Sequence, residues 1–79
     1  MEEIIEEQPI KVYVKVNSNN EITTVSSNIF IDDLTNWVEI DKGFGDKYAH
    51  AQSQYFEKPL INDDGTYNYI LENGVVKEV

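Results

Sequence analysis

The sequence predicts one mainly β domain, a β-rich α+β fold built as an antiparallel meander of five or six short strands with one or two short helical turns. Three observations favour this fold. Apolar and polar residues alternate strictly from Ile10 to Val16. Turn residues recur between the apolar stretches, above all in the pair Asn73-Gly74. The 79 residues, 41% of them hydrophobic, suffice for a single domain with a thin core.

The first two strands form a predicted hairpin. Residues 10–16 place four β-branched residues on one face, as expected for a half-buried strand. Residues 17–20 form the turn, because asparagine tolerates positive φ and bonds its own backbone. Residues 21–27 contain Ile22, Thr23, Thr24 and Val25, which suit the returning strand.

The middle of the chain is expected to be irregular and then to form a third strand. In residues 28–36, Asp32 or Asp33 caps a short predicted helical turn. Residues 37–41 alternate again, with Trp37 and Glu39 on one face.

The run GFGDKYAHAQSQYF at residues 43–56 follows this strand. Gly43 and Gly45 are expected to turn the chain sharply. Asp46 is then expected to cap a helical turn that contains Tyr48 and His50. Tyr48, Tyr55 and Phe56 would pack on the sheet beside Trp37, so that the run covers one sheet face.

The last third of the chain is predicted to form further strands. Residues 55–57 read as a short strand, residues 62–65 as a turn, and residues 66–72 as a strand with Tyr67, Tyr69 and Leu71 on one face. Asn73-Gly74 predicts a type I′ turn, because both of its positions require positive φ. The chain then returns over residues 75–79.

Residues 1–8 form a separate acidic segment, with four glutamates around Ile4-Ile5. Eight residues are too few for a stable isolated helix in water. We therefore expect an N-terminal arm, either loose or docked on a neighbour, ahead of one domain over residues 9–79.

The charge and composition of the chain restrict the kinds of partner that it is expected to bind. The net charge of −9 disfavours nucleic acid, because phosphates repel an acidic surface, and it permits a basic protein partner. No apolar run approaches the roughly 18 residues of a membrane span, so no membrane partner is expected. The acidic start is unlike a signal peptide. The absence of cysteine excludes disulfides and thiolate metal sites.

The run at residues 43–56 resembles a dinucleotide-binding loop or the setting of a catalytic histidine, and the sequence supports neither interpretation. A dinucleotide-binding loop would need a third glycine where Tyr48 stands. His50 is the one candidate general base, with Asp46 four residues before it and Ser53 three after. An Asp46–His50 contact on one helical face more commonly ties down a loop, so we predict a structural, hydrogen-bonded histidine.

Residues 62–65 suggest calcium, but a calcium loop with its glycine at Gly65 would begin at Leu60 and close at Leu71. Both positions require oxygen ligands. We therefore predict no catalytic, cofactor-binding or metal-binding residues and no cofactor.

The aromatic residues leave two readings open. Trp37, Tyr67 and Tyr69 are a candidate binding face for sugars, because amphipathic rings suit wet surfaces. The alternative is that the rings fill a thin core. The carboxylates suggest a third possibility, an acidic inhibitor of a host factor, although they are spread among turns and strands.

A family resemblance covers residues 11–72. It rests on the alternating residues 12–16, Ile29-Phe30, the run Trp-x-x-Ile-Asp-x-Gly-x-Gly-Asp-x-Tyr-x-His-Ala-Gln from Trp37 to Gln52, Tyr55, Pro59-Leu60, Asp64-Gly65, Tyr67 and Tyr69. This pattern resembles a small domain of phage and prophage tail-gene regions, found alone or at the end of tail-fibre and baseplate proteins. Proteins called XkdW and YorD are similar in size and setting.

The resemblance implies a non-enzymatic virion component of the tail, made in the cytoplasm of a bacterial host. Its implied partners are other tail proteins or copies of itself, and it acts by protein–protein contact. A carbohydrate-binding tip module that recognises host-wall polysaccharide is the alternative. The run over residues 37–52 is its most specific part. The residues of its structural motif are Trp37, Gly43, Gly45, Asp46, Tyr48 and His50, which lie in this run, and Tyr55, which follows it.

Overall fold

The computed structural model describes residues 8–79, so the prediction of an acidic arm at residues 1–8 lies almost wholly outside the described residues. Five antiparallel strands and two one-turn helices make up the described chain, which confirms the mainly β fold class. The elements are β1 (Ile10–Val16), β2 (Ile22–Ser27), a 3₁₀ turn (Asn28–Phe30), β3 (Val38–Gly43), α1 (Asp46–Ala49), α2 (Ala51–Gln54), β4 (Tyr69–Glu72) and β5 (Val75–Glu78).

The first sheet has the strand order β2-β1-β3. Both neighbours run antiparallel to β1, so Ser27 pairs beside Val12 and Gly43 pairs beside Ile10. β3 therefore follows β2 in sequence but pairs with the other edge of β1. The segment between them crosses β1, and the 3₁₀ turn at its start is anchored by a 3.1 Å hydrogen bond from the Lys11 backbone N–H to Asn28 Oδ1.

A β-bulge in β3 sets which side chains face the core. Val12 pairs with Asp41 and Tyr13 pairs with Glu39, so Ile40 is the extra residue. Opposite residues point to the same face of a sheet, and Asp41 therefore shares the inner face with Val12. Glu39 shares the outer face with Tyr13, whose hydroxyl donates to Glu39 Oε1 at 3.5 Å.

The second sheet is the hairpin β4-β5, and its turn confirms the prediction made for Asn73-Gly74. Asn73 and Gly74 have φ values of 53° and 81°. The hairpin attaches to the start of β2 through a bridge between Glu21 and Ile70. The Leu71 backbone N–H also donates to the Asn20 carbonyl at 2.8 Å.

The core lies between the inner face of the first sheet, the two short helices and the hairpin. Its buried members are Val12, Val14, Ile22, Val25, Ala51 and Tyr69. Ser27, which is fully buried, donates from Oγ to the Ala49 carbonyl at 3.1 Å. That bond ties the end of β2 to the junction of α1 and α2.

Three local predictions are wrong. Residues 55–57 form no strand, because Tyr55 ends α2 and the chain then bends.

The helical turn expected at residues 32–35 is absent. Asp33 Oδ1 instead accepts hydrogen bonds from Thr35 N (2.9 Å) and Oγ1 (2.7 Å), a local side-chain turn that competes with helix. The fourth strand begins at Tyr69 rather than at residue 66, because Tyr67 forms only an isolated bridge.

Candidate functional site

Gly43 provides space for an aromatic ring and does not turn the chain. It is the last residue of β3, and a Cβ added there would lie 2.6 Å from both Cε2 and Cζ of Tyr48. A Cβ atom and a non-bonded ring carbon essentially never approach each other this closely. The turn expected at this glycine is made by Gly45, and Gly43 allows the Tyr48 ring to lie directly on the strand.

Gly45 has φ 106° and ψ 179°, a conformation that is essentially restricted to glycine. It occupies the N-cap position of α1, and its carbonyl accepts the backbone N–H groups of Tyr48 and Ala49. The predicted cap by Asp46 is wrong, because Asp46 is the first helical residue and makes no capping side-chain bond. Its carboxylate still lies in the first turn, where negative charge is favourable.

Four aromatic rings form a continuous row under the helices. Ring centroids are 6.1 Å apart for Tyr48 and Tyr55, 5.0 Å for Tyr55 and Phe56, and 4.4 Å for Phe56 and Tyr69. Tyr69 belongs to the buried core, and Tyr48, Tyr55 and Phe56 pack against it as predicted. Tilted and edge-on pairs of this kind add to the stabilisation from burial alone.

Trp37 lies apart from this row, so the expectation that it packs beside Tyr48 and Tyr55 is wrong. Lys15 Nζ lies over the Trp37 ring, 4.8 Å from its centroid. Lys15 alternates with the core residues Val14 and Val16 and therefore points to the outer face of the sheet. Trp37 accordingly contacts the outer face, whereas the helices cover the inner one.

The candidate binding face of Trp37, Tyr67 and Tyr69 is not assembled as one exposed surface. Tyr69 is 8% exposed and belongs to the core, and its hydroxyl accepts a hydrogen bond from the Lys58 backbone N–H at 3.2 Å. Tyr67 is half-buried and pairs with Ile61. The prediction is wrong for Tyr69, since a buried ring offers no face to a sugar.

His50 is exposed, and within residues 8–79 its side chain makes no hydrogen bond. Only its backbone is engaged: the N–H donates to the Asp46 carbonyl at 2.8 Å. The expected Asp46–His50 side-chain contact is therefore missing, because the helix ends after one turn.

We predict that His50→Ala changes the free energy of unfolding by no more than about 0.5 kcal/mol, because the imidazole is exposed and makes no hydrogen bond in the described part of the chain. Urea unfolding of the variant and the parent chain checks this. A loss above about 1 kcal/mol would show that the imidazole has a structural partner.

The polar contact under the helices joins Tyr55 to Asp41. The Tyr55 hydroxyl donates to Asp41 Oδ2 at 2.8 Å. Burial, together with this hydrogen bond and the charge of Asp41, raises the pKa of Tyr55 well above its ordinary value of 10.0. The neutral phenol is therefore favoured in the folded state.

The raised pKa of Tyr55 makes the free energy of unfolding decrease at alkaline pH. A raised pKa contributes stability that is fully present below the unfolded pKa of about 10 and is lost as pH rises towards the folded pKa. We expect the free energy of unfolding to fall above about pH 10 more steeply in the parent chain than in Tyr55→Phe. At neutral pH, Tyr55→Phe should cost about 1 kcal/mol for the lost hydrogen bond.

Urea unfolding at several alkaline pH values measures both slopes. Tyr67→Phe is the matched control, because the Tyr67 hydroxyl makes no hydrogen bond within residues 8–79. Equal slopes for the parent and Tyr55→Phe would mean that Asp41 does not hold the phenol.

Three large apolar side chains are exposed at one end of the first sheet. Ile29 and Phe30 are each 58% exposed and Phe44 is 57% exposed. They lie at the same end because β2 and β3 both run antiparallel to β1 and both finish where β1 begins. We call Ile29, Phe30 and Phe44 the apolar end surface.

A groove of about 230 Å³ opens between α2 and the segment that follows it. Its inner wall comes from Val25, Ala51, Phe56 and Leu60, which belong to or pack on the core. Its mouth consists of Gln52, Ser53, Glu57, Lys58 and Pro59. None of the residues of the apolar end surface lines it.

Comparison with protein-family models, curated proteins and solved structures found no significant match. Within the described residues, no helix has the length and apolar character that crossing a membrane requires.

Sequence reasoning missed both the apolar end surface and the groove. Phe44 carried a usable signal, because a large ring between two glycines has few neighbours to bury it. Ile29 and Phe30 gave none, since only the pairing of β2 and β3 with β1 brings them to the same end as Phe44.

Proposed function

We propose that the chain is a phage or prophage tail component, of a tail fibre or baseplate, that acts by protein–protein contact in the virion and performs no catalysis. The sequence resemblance over residues 11–72 supports the tail setting, and the apolar end surface carries the inference of protein–protein contact. Three large side chains, each more than half exposed at the same end of the first sheet, are characteristic of an interaction site.

Burial of these three side chains would supply enough free energy for a specific contact. Fully burying a phenylalanine or isoleucine side chain contributes about 1.5–3 kcal/mol. Two aromatic rings and one aliphatic side chain thus suffice for the central cluster of a specific interface. The net charge of −9 favours partners whose contact surface is neutral or basic.

β3 offers a second contact element. Within residues 8–79 it pairs with β1 only, so its other edge has backbone groups available for a partner strand. The bulge at Ile40 and the exposed side chains of Glu39 and Lys42 restrict this edge, which disfavours indiscriminate aggregation.

The carbohydrate-binding alternative has weaker support. Its candidate residues are divided between the core and the outer face, and Lys15 covers the Trp37 ring. The polar mouth of the groove is the surface that a wall sugar would use.

The test is co-purification with phage particles that carry a tagged copy of the chain. We expect a fixed copy number per tail, which Phe30→Ser with Phe44→Ser abolishes. Val75→Ser is the matched control, because Val75 is equally exposed but lies on the β4-β5 hairpin. Absence of the parent chain from particles would refute the proposal, and binding to purified wall polysaccharide would favour the alternative.

A further inference from the structure

We propose that Phe44 of one copy of this chain docks in the groove beside α2 of another copy, so that the copies associate head to tail. This inference rests on the proposed contact function and adds the identity of one partner. The contact joins two different surfaces of the chain and can therefore repeat around a ring or along a fibre.

Size is the first argument. A cavity of about 150 Å³ lined by apolar side chains is enough to bind benzene. The groove, at about 230 Å³, has room for the ring of one phenylalanine. Phe56 and Leu60 provide apolar contacts on its inner wall.

The second argument is that the backbone exposes Phe44 at the surface. Phe44 stands between Gly43 and Gly45, neither of which has a side chain that could cover it. It is 57% exposed, and the Gly43–Tyr48 contact and the one-turn helix α1 fix the backbone on both sides. Because the backbone at Phe44 is already ordered, docking costs only the rotamer freedom of one side chain.

Charge is the third argument, and it selects Phe44 over Phe30. Lys42 and Lys47 flank Phe44 in sequence, with Asp46 as the one acid among the exposed neighbours. Lys47 Nζ lies 4.9 Å from the centroid of the Tyr55 ring and keeps its positive charge there. Phe30 is followed instead by the exposed Asp32 and Asp33.

The mouth of the groove is acidic on balance. Glu57 is exposed and has no ion pair within residues 8–79, while Lys58 is already paired with Glu78. Lysines beside Phe44 therefore match this mouth, whereas the aspartates beside Phe30 would be repelled by it.

Sedimentation equilibrium of the full chain at about 0.15 M salt tests the proposal, because this salt screens the repulsion between acidic copies. We expect the mass to rise with concentration beyond that of a dimer. Phe44→Ser, which removes the inserted ring, and Ser53→Trp, which fills the groove, should each lower the association constant about tenfold or more.

Two matched controls accompany these variants. Phe30→Ser removes an equally exposed ring, and Gln54→Trp adds an indole to α2 outside the groove. Both should leave the association constant unchanged. Circular dichroism and the thermal midpoint establish that each variant is folded, and Gln52→Trp replaces Ser53→Trp if that variant is not.

The decisive measurement mixes the two weakened chains. Phe44→Ser keeps an intact groove and Ser53→Trp keeps an intact Phe44, so the mixture should form a one-to-one dimer and nothing larger. A parent chain that stays monomeric would overturn the inference, as would a mixture that stays monomeric. An effect of Phe30→Ser equal to that of Phe44→Ser would also overturn it, because it would indicate contact between two apolar end surfaces.

These outcomes are separate from those of the proposed function. A monomeric chain that still co-purifies with tails at fixed copy number would refute the head-to-tail contact alone.

Discussion

Gly43→Ala is expected to lower the free energy of unfolding by about 1–3 kcal/mol, the usual range for a side chain forced into a packed site. The added Cβ would lie 2.6 Å from the Tyr48 ring. That ring cannot move away freely, because it packs against Tyr55 and the core. Urea unfolding followed by circular dichroism measures the loss.

A double-mutant cycle identifies the cause. Once Tyr48→Ala has removed the ring, adding Gly43→Ala should have almost no further effect, since the three atoms nearest to the added Cβ all belong to that ring. The coupling energy should then account for most of the cost of Gly43→Ala alone. Additive losses would mean that the glycine is needed for its backbone and that the Tyr48 contact is irrelevant.

Ile22→Ala is expected to cost about 2–5 kcal/mol, which is a large part of the stability of a domain this small. Ile22 is fully buried. It opens β2, next to the Glu21–Ile70 bridge that joins the first sheet to the hairpin. The cavity would therefore form where the two sheets meet, and the short strands there can close it only partly.

Two companion variants calibrate this result. Ile22→Val should cost about 0.5–1.5 kcal/mol, because it removes a single methyl group. Val75→Ala, at a position 58% exposed, should change the free energy of unfolding by no more than about 0.5 kcal/mol. Equal effects of Ile22→Ala and Val75→Ala would contradict the proposed core.

The candidate site was predictable only in part. Gly45 and the packing of Tyr48, Tyr55 and Phe56 followed from residue type, because glycine and large rings have few roles in a small β-rich domain. The role of Gly43 did not follow, since a glycine that admits a ring and a glycine that turns the chain look the same in sequence. The sequence also favoured a structural role for His50 that its exposed position does not support.

Local physics alone determined β1, β2, the Asn73-Gly74 turn and the mainly β class of this protein. Alternation and positive-φ residues act over a few positions and need no knowledge of the rest of the chain. The tertiary structure decided the strand order β2-β1-β3, the bulge at Ile40, the inner or outer face of each aromatic ring, and the meeting of Ile29, Phe30 and Phe44 at one end. Those features depend on which distant strands pair and in what register, and a shift of one residue in that register reverses every face.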